Sequence, residues 1–330
     1  MFRIGNVEIA NHCLLAPMAG YGDKAFRQMC REGGAGLSCT EMISCKGLNY
    51  KNQQTIEMLS VSNLEKPCAV QLFGKDPNDF ERAVQDERLS GFDIIDINMG
   101  CPVNKVIKHG EGSGLMETPE LASLIVSACV KASNGRPITV KHRLGVECGN
   151  NISVDFAKRL QDAGASAVSI HGRYQQQHYR GESDWQAIGV VADNVQIPVV
   201  GSGDIVDRQR YEKVLNNYPV AAVMVARASI GNPTVFAEML GLQSNLSPHA
   251  TMEQCRRHLD LHMQYNKNPN ALAIFKKHFA SYINTIKVKL IGTDCKFTAS
   301  YFSQLKVKAH NVSNLNEAYD IIDNIVCDLG

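Results

Sequence analysis

The chain has 330 residues, 44% of them hydrophobic and 20% charged, with a formal net charge of +1. That is enough to bury a large core and more than one average domain requires. It has no apolar run long enough to span a membrane, no low-complexity tract, and no charged–apolar–small leader pattern in Met1–Ala16, so a cytoplasmic protein is expected.

Short apolar runs recur along the first two-thirds of the sequence, each followed by a segment of helical periodicity. The strand candidates are His12–Ala16, Leu37–Met42, Cys68–Phe73, Phe92–Asn98, Ile138–Lys141, Ala167–His171, Pro198–Gly201 and Ala222–Ala226. Between them the pattern predicts helices over Asp23–Glu32, Pro77–Leu89, Pro119–Ala132 and Val154–Ala163. Thr118 before Pro119 and Glu120 reads as an N-cap, Ser153 as the cap of the Val154 helix, and Gly164 as its end. Eight β-α units in about 235 residues match a (β/α)8 TIM barrel. An open doubly wound sheet would carry G-x-G-x-x-G after its first strand, but the turn reads Ala16-Pro17-Met18-Ala19-Gly20. The barrel is favoured.

After Pro233 the strand pattern stops, and residues from about 250 to 330 read as helices, interrupted at Asn268-Pro269-Asn270 and near Gly292. A small all-helical C-terminal domain (residues 241–330) is therefore expected behind a barrel of residues 1–240. Charge separates the two. From Glu253 to His310 there are ten Lys/Arg against three Asp/Glu, or +7, with four histidines, leaving about −6 for the rest. Such a basic segment is either a nucleic-acid footprint or a solvated helical surface.

Eleven cysteines are scattered, odd in number and never spaced C-x-x-C, which predicts neither disulfides nor a metal site. Most are expected in the core.

In such barrels chemistry sits at the C-terminal ends of the strands. The residues there are Pro17, Met18, Glu41, Gln71, Asn98, Lys141, Arg143, His171, the Gly201-Ser202-Gly203-Asp204 turn and Ala226-Arg227. The fourth unit carries Asn98-Met99-Gly100-Cys101-Pro102 and then a loop with glycines 110, 112 and 114 that can close over a substrate. No Gly-Lys-Ser/Thr follows, which argues against a phosphate loop. A cysteine so placed can be a nucleophile, an acid or a packed thiol. With a free-thiol pKa of about 8.5 it is mostly protonated near neutrality, whereas nucleophilic work needs a nearby base or positive field. Gly203 and Ala226-Arg227, after strands seven and eight, occupy the usual phosphate position of the fold.

Together these stretches resemble the tRNA-dihydrouridine synthase family, in particular its bacterial B-type branch. The likeness is carried by Leu15–Gly20, Asp96–Pro102, Val140–Arg143, Ile170–Arg173 and Val223–Arg227, and runs from Phe2 to about Phe236 and weakly beyond. It implies FMN across the barrel mouth, NADPH (or NADH) as reductant, and tRNA as substrate of a monomeric enzyme. Ala16, Pro17 and Met18 would line the flavin, Gln71 and Lys141 would hydrogen-bond it, and His171 would sit close by. Ser202, Gly203, Asp204, Ala226 and Arg227 would hold its phosphate end. Hydride would pass from flavin N5 to uracil C6 and Cys101 would protonate C5, with Asn98 and Arg143 orienting the base. The uridine would be swung out of its stack, and Arg256, Arg257, Lys276, Lys277, Lys306 and Lys308 would grip RNA backbone. B-type likeness points to the dihydrouridine loop, position 17.

The chain departs from the family pattern at Ser202, usually Asn, and Ala226, usually Gly, both at the phosphate end. Tyr174-Gln175-Gln176-Gln177 stands where relatives tend to be basic. Rival readings are a flavin barrel acting on a free pyrimidine, similar to dihydroorotate dehydrogenase, the same reaction on ribosomal RNA, and a non-catalytic RNA-binding protein. The first has no need of the basic helical segment, and the last would have lost Cys101, Lys141 or Arg227.

Overall fold

A computed structural model describes residues 1–329. An antiparallel hairpin, β1 (Phe2–Ile4) and β2 (Val7–Ile9), precedes eight parallel strands. These are β3 (Cys13–Leu15), β4 (Ser38–Ser44), β5 (Cys68–Phe73), β6 (Ile94–Met99), β7 (Ile138–Arg143), β8 (Ala167–His171), β9 (Val199–Ser202) and β10 (Ala222–Val225). Each pairs with its sequence neighbour from β4 to β10, and β10 pairs back onto β3. The ring closes between β3 and β4, where Leu15 N donates to Leu37 O at 2.9 Å and Gly36 N to Cys13 O at 2.7 Å. This is a (β/α)8 TIM barrel, as the strand count and spacing predict.

Period-two alternation sorts each strand into an outer and an inner face. On β6, Ile95, Ile97 and Met99 pack outward under the helices, while Ile94 joins the interior with Leu14, Ala69, Ala167, Val200 and Ala222. Further along the same inward faces the residues turn polar: Ala69 gives way to Gln71, Ile94 to Asp96 and Asn98, and Ala167 to Ser169 and His171. Strand pairing sets Asp96 beside Thr139 and Asn98 beside Lys141. The hairpin seals the apolar end with Ile4 and Ile9, so the open end is the polar one.

The helix caps and boundaries differ from the expected ones in three places. Thr118 stands before the Pro119–Ala132 helix, but its hydroxyl makes no capping bond. Its backbone (φ −131°, ψ 67°) is outside the extended conformation that aims a cap at the first turn. Ser153 is the first helical residue rather than the cap, because its Oγ donates to Asn151 Oδ1 at 2.6 Å. The Pro77 helix ends at Val84, and Asp86 starts a separate 3-10 turn by accepting from Arg88 N at 3.0 Å. Gly164 does follow its helix, at φ +100°.

The C-terminal part is four helices: Pro248–Tyr265, Ala271–Leu290, Ala299–Asn311 and Leu315–Leu329. They bury their own core around Leu259, Phe275, Phe279, Phe302 and Ile322. They dock on the helix Lys24–Glu32 through Tyr265 Oη, which donates to Gln28 Oε1 at 2.7 Å, and an Arg257–Glu32 ion pair at 2.5 Å. Three of the four histidines counted with the basic segment, His258, His262 and His278, are buried and add nothing to its surface charge. Among the described residues no helix is long and apolar enough to cross a membrane.

Candidate active site

A cavity of about 360 Å³ opens at the polar end of the barrel. Its lining includes Ala16, Pro17 and Met18 from the β3 end, Gln71, Asn98 and Cys101 from β5 and β6, and Lys141, Arg143 and His171 from β7 and β8. Ser202, Gly203 and Asp204 after β9 and Ala226 and Arg227 after β10 complete it. Glu41 stays outside, and its carboxylate accepts from the Gly20 N–H. The sequence reading passed over Tyr21, Met42, Met224 and Ile230, which supply much of the apolar wall.

One side of the cavity is a relay of fixed hydrogen bonds. Thr139 Oγ1 donates to buried Asp96 Oδ1 at 2.6 Å, and Gln71 Nε2 donates to Asp96 Oδ2 at 2.7 Å. Asn98 Nδ2 donates to Gln71 Oε1 at 2.8 Å, while Asn98 Oδ1 accepts from the N–H groups of Gly100 and Cys101 at 3.1 and 2.9 Å. Both ends of the Asn98 amide are thus committed, and its main effect is to aim the Cys101 backbone. Arg143 is 2% exposed and braces the same loop. Its Nε donates to Gly100 O at 2.8 Å, and its Nη1 to Tyr174 O and His178 O at 3.1 and 2.9 Å.

The glycine-rich segment closes this side. Ser113 Oγ and N donate to Cys101 O at 2.8 and 3.1 Å. Gly112 lies at φ +59° with a would-be Cβ 3.0 Å from Cys101 Cβ, so no larger residue fits. Burial pushes the Cys101 thiol up, outweighing the pull of the Val103 N–H and of Arg143 and Lys141. The group is therefore a protonated thiol at neutral pH, suited to donate a proton rather than to attack.

The other side is cationic. Lys141 has no carboxylate partner among the described residues, and burial, with Arg143 nearby, lowers it to about 8. His171 is driven well below its ordinary range by burial and then by the positive charges of Lys141, Arg143, Arg173 and Arg227, which leaves the ring neutral. Arg173 Nη1 lies 3.1 Å from His171 Nε2, and a guanidinium can only donate, so the ring proton is on Nδ1. Arg173, 2% exposed, also donates to Asp204 Oδ2 at 2.7 Å, and Arg227 Nη2 reaches Asp204 Oδ1 at 3.0 Å. Burial opposes the Asp204 carboxylate, but Arg173, the Ser183 N–H and Arg227 together hold it below its usual range.

Gly203, at φ +128°, has no room for a side chain, since a Cβ would meet Ser183 Oγ at 2.2 Å. Trp185, buried at the start of its helix, donates Nε1–H to Gly203 O at 3.0 Å. Among the described residues the N–H groups of Gly203, Arg227 and Ala228 find no backbone carbonyl. Unpaired N–H groups beside an arginine form an anion cradle.

The family described as "Dihydrouridine synthase (Dus)" matches residues 14–320. The chain belongs to the dihydrouridine synthase family. A protein of Xanthomonas axonopodis pv. citri named tRNA-dihydrouridine synthase B is 35% identical over 287 residues, covering 85% of this chain and 86% of that protein. The Shewanella oneidensis protein of the same name is 33% identical over 328 residues, covering 96% and 98%. Family likeness therefore extends through the helical bundle as well as the barrel. Among solved structures, histamine dehydrogenase from Rhizobium sp. 4-9 superposes with TM-score 0.57 at 14% identity, over 79% of this chain and 50% of that one. A variant of NCR from Zymomonas mobilis gives 0.52 at 14%, over 73% and 90%. At such identities the likeness is one of fold.

Proposed function

We propose that this synthase reduces uridine in tRNA to 5,6-dihydrouridine, with FMN as resident cofactor and NADPH as reductant. The observation that carries it is the pairing of a protonated, backbone-clamped Cys101 with a cationic anion cradle across one cavity. The residues present fit a flavin mononucleotide. Gly203, Arg227 and Ala228 offer unpaired N–H groups for its phosphate, and Lys141 and the His171 Nδ1–H are donors for ring acceptors. When bound, the flavin supplies the hydride taken up at uracil C6. Ser202 and Ala226 keep their backbone N–H groups, so neither departure from the family pattern removes a phosphate donor.

The protein's own part is to place and protonate the base. Asn98 and Arg143 hold the Cys101 loop, and Cys101 Sγ–H gives its proton to uracil C5. The apolar wall of Met18, Met42 and Tyr21 excludes water around an everted base. The barrel, residues 1–240, holds the cofactor, and residues 241–330 meet the RNA backbone.

A defined tRNA transcript added to the anaerobically reduced protein tests this. Flavin reoxidation should match dihydrouridine formed, read by mass spectrometry. Reoxidation by ribosomal RNA or free pyrimidine but not by tRNA would replace the substrate, and a protein that binds tRNA without flavin would end the enzymatic reading.

A further inference from the structure

Outside the cavity, a second set of buried titratable groups lies where the helical bundle meets the barrel. Asp23 caps the helix Lys24–Glu32, its Oδ1 accepting from Phe26 N at 2.9 Å. His258 and His278, from the helices Pro248–Tyr265 and Ala271–Leu290, are fully buried with ring centroids 4.5 Å apart. One ligand-competent atom from each of Asp23, His258 and His278 lies within 4.8 Å of the other two.

The hydrogen bonding around these rings is incomplete, with three unpaired nitrogens beside one carboxylate, where buried His142 leaves a single one elsewhere. Neighbouring His262 is fully engaged, Nδ1 with Asp23 Oδ2 at 2.8 Å and Nε2 with Ala271 O at 2.9 Å. His258 Nδ1 lies 3.2 Å from Tyr282 Oη, but among the described residues its Nε2 has no partner, and neither nitrogen of His278 has one. The rings pack instead on Phe26 and Phe275, which offer no acceptor. Buried nitrogens are normally paired, so orphans converging on a carboxylate imply a missing electrophile.

Protonation states agree. Burial lowers His258 to about 4 and His278 well below its ordinary value, leaving both as neutral, ligating imidazoles. Burial opposes ionisation of Asp23, yet the His262 hydrogen bond and the nearby histidines keep its carboxyl below the usual range.

We propose that Asp23, His258 and His278 bind a divalent transition metal of the zinc type, clipping the helical bundle to the barrel. Two nitrogens and one oxygen leave the fourth tetrahedral position to water. The site uses none of the eleven cysteines. It also adjoins the active cavity, because Tyr21, a lining residue there, packs edge-on to His278 at 5.2 Å.

The flavin-loaded full-length protein, stripped with a chelator, is titrated with cobalt chloride and then zinc chloride. One equivalent of cobalt should bind with visible d–d absorption, zinc should displace it, and the melting temperature should rise by a few degrees, on the order of 2–4 °C. Asp23→Ser, which keeps a capping hydroxyl, and His278→Gln should each weaken binding more than about tenfold. Zinc-edge X-ray absorption on the unaltered protein decides the matter even where a variant fails to fold. A nitrogen/oxygen shell at about 2.0–2.1 Å with imidazole scattering is expected. No stoichiometric binding, a sulfur shell at about 2.3 Å, or affinity unchanged in both variants would overturn the proposal.

Discussion

The two sides of the active cavity solve different problems with similar polar residues. On the β5–β7 side nearly every donor and acceptor is used within the protein: Thr139, Asp96, Gln71, Asn98 and Arg143 bond to one another or to the Cys101 loop. Facing it, on the β8–β10 side and at Lys141 of β7, donors are left over among the described residues, including the Lys141 ammonium and the N–H groups of Gly203, Arg227 and Ala228. A saturated network fixes a group in space, whereas an unsaturated one waits for a ligand. The first side is thus a mount for one thiol and the second a receptacle for an anion, and variants on each should fail differently.

The largest effect is expected at the mounted group itself. Cys101→Ala should slow the RNA half-reaction by about 10²–10⁴-fold while reduction of bound flavin by NADPH is unchanged. Single-turnover kinetics separates the two, and equal loss in both would dissolve the distinction between the sides. The pH profile sharpens it. Burial raises the Cys101 thiol, and a proton donor must be protonated, so the RNA half-reaction should stay level through neutrality and fall only above the ordinary thiol range of about 8.5. A rate that instead rises with pH through the thiol range would mean that the thiolate is the working form.

Next comes the mount. Arg143→Lys keeps a charge but not the fork that spans Gly100, Tyr174 and His178, and leaves carbonyls at the part-buried loop unpaired. A loss of about 2–3 kcal/mol in denaturant unfolding is expected, with roughly tenfold slower RNA reduction and unchanged flavin content. On the receptacle side, Arg227→Ala should do the reverse. Losing one charge-assisted hydrogen bond, about 1.5–3 kcal/mol, weakens flavin binding roughly 10- to 100-fold by fluorescence titration. Reduction of RNA at saturating flavin should be little altered.

What the sequence reveals follows the same division. Apolar strand runs and the rim positions they imply were readable because each depends on nearby residues, and all eight strands fall where the apolar runs put them. The cavity gathers every rim residue assigned to the flavin or the base, while Glu41 and Gly201 of the rim fall outside, Gly201 packing on the Trp185 ring. Partnerships were not readable. Nothing local in Val140-Lys141-His142-Arg143 shows that Arg143 turns back to three loop carbonyls, or that Arg173 fixes the His171 tautomer. The Asp23–His258–His278 cluster is more remote still, joining the first barrel helix to the bundle with no spacing signal. Capping errors at Thr118 and Ser153 had a smaller cause, a backbone angle in one case and a competing Asn151 in the other.

The smallest effects should come from the basic bundle, where the saturated-versus-free comparison applies again. Arg256 pairs with Asp323 and Arg257 with Glu32, so both are partly neutralised within the fold, while Lys306 and Lys308 have no carboxylate partner among the described residues. Arg257→Ala should cost at most about 1 kcal/mol of stability, since its pair is half-exposed, and leave the salt dependence of tRNA binding nearly unchanged. Lys306→Ala and Lys308→Ala should instead lower the slope of log affinity against log salt by roughly one each, with no change in melting temperature. If all of these variants alter the slope equally, free charge on this surface is not what selects the contact. If only Arg257→Ala does, the RNA must displace Glu32, and the footprint then begins at the seam between bundle and barrel.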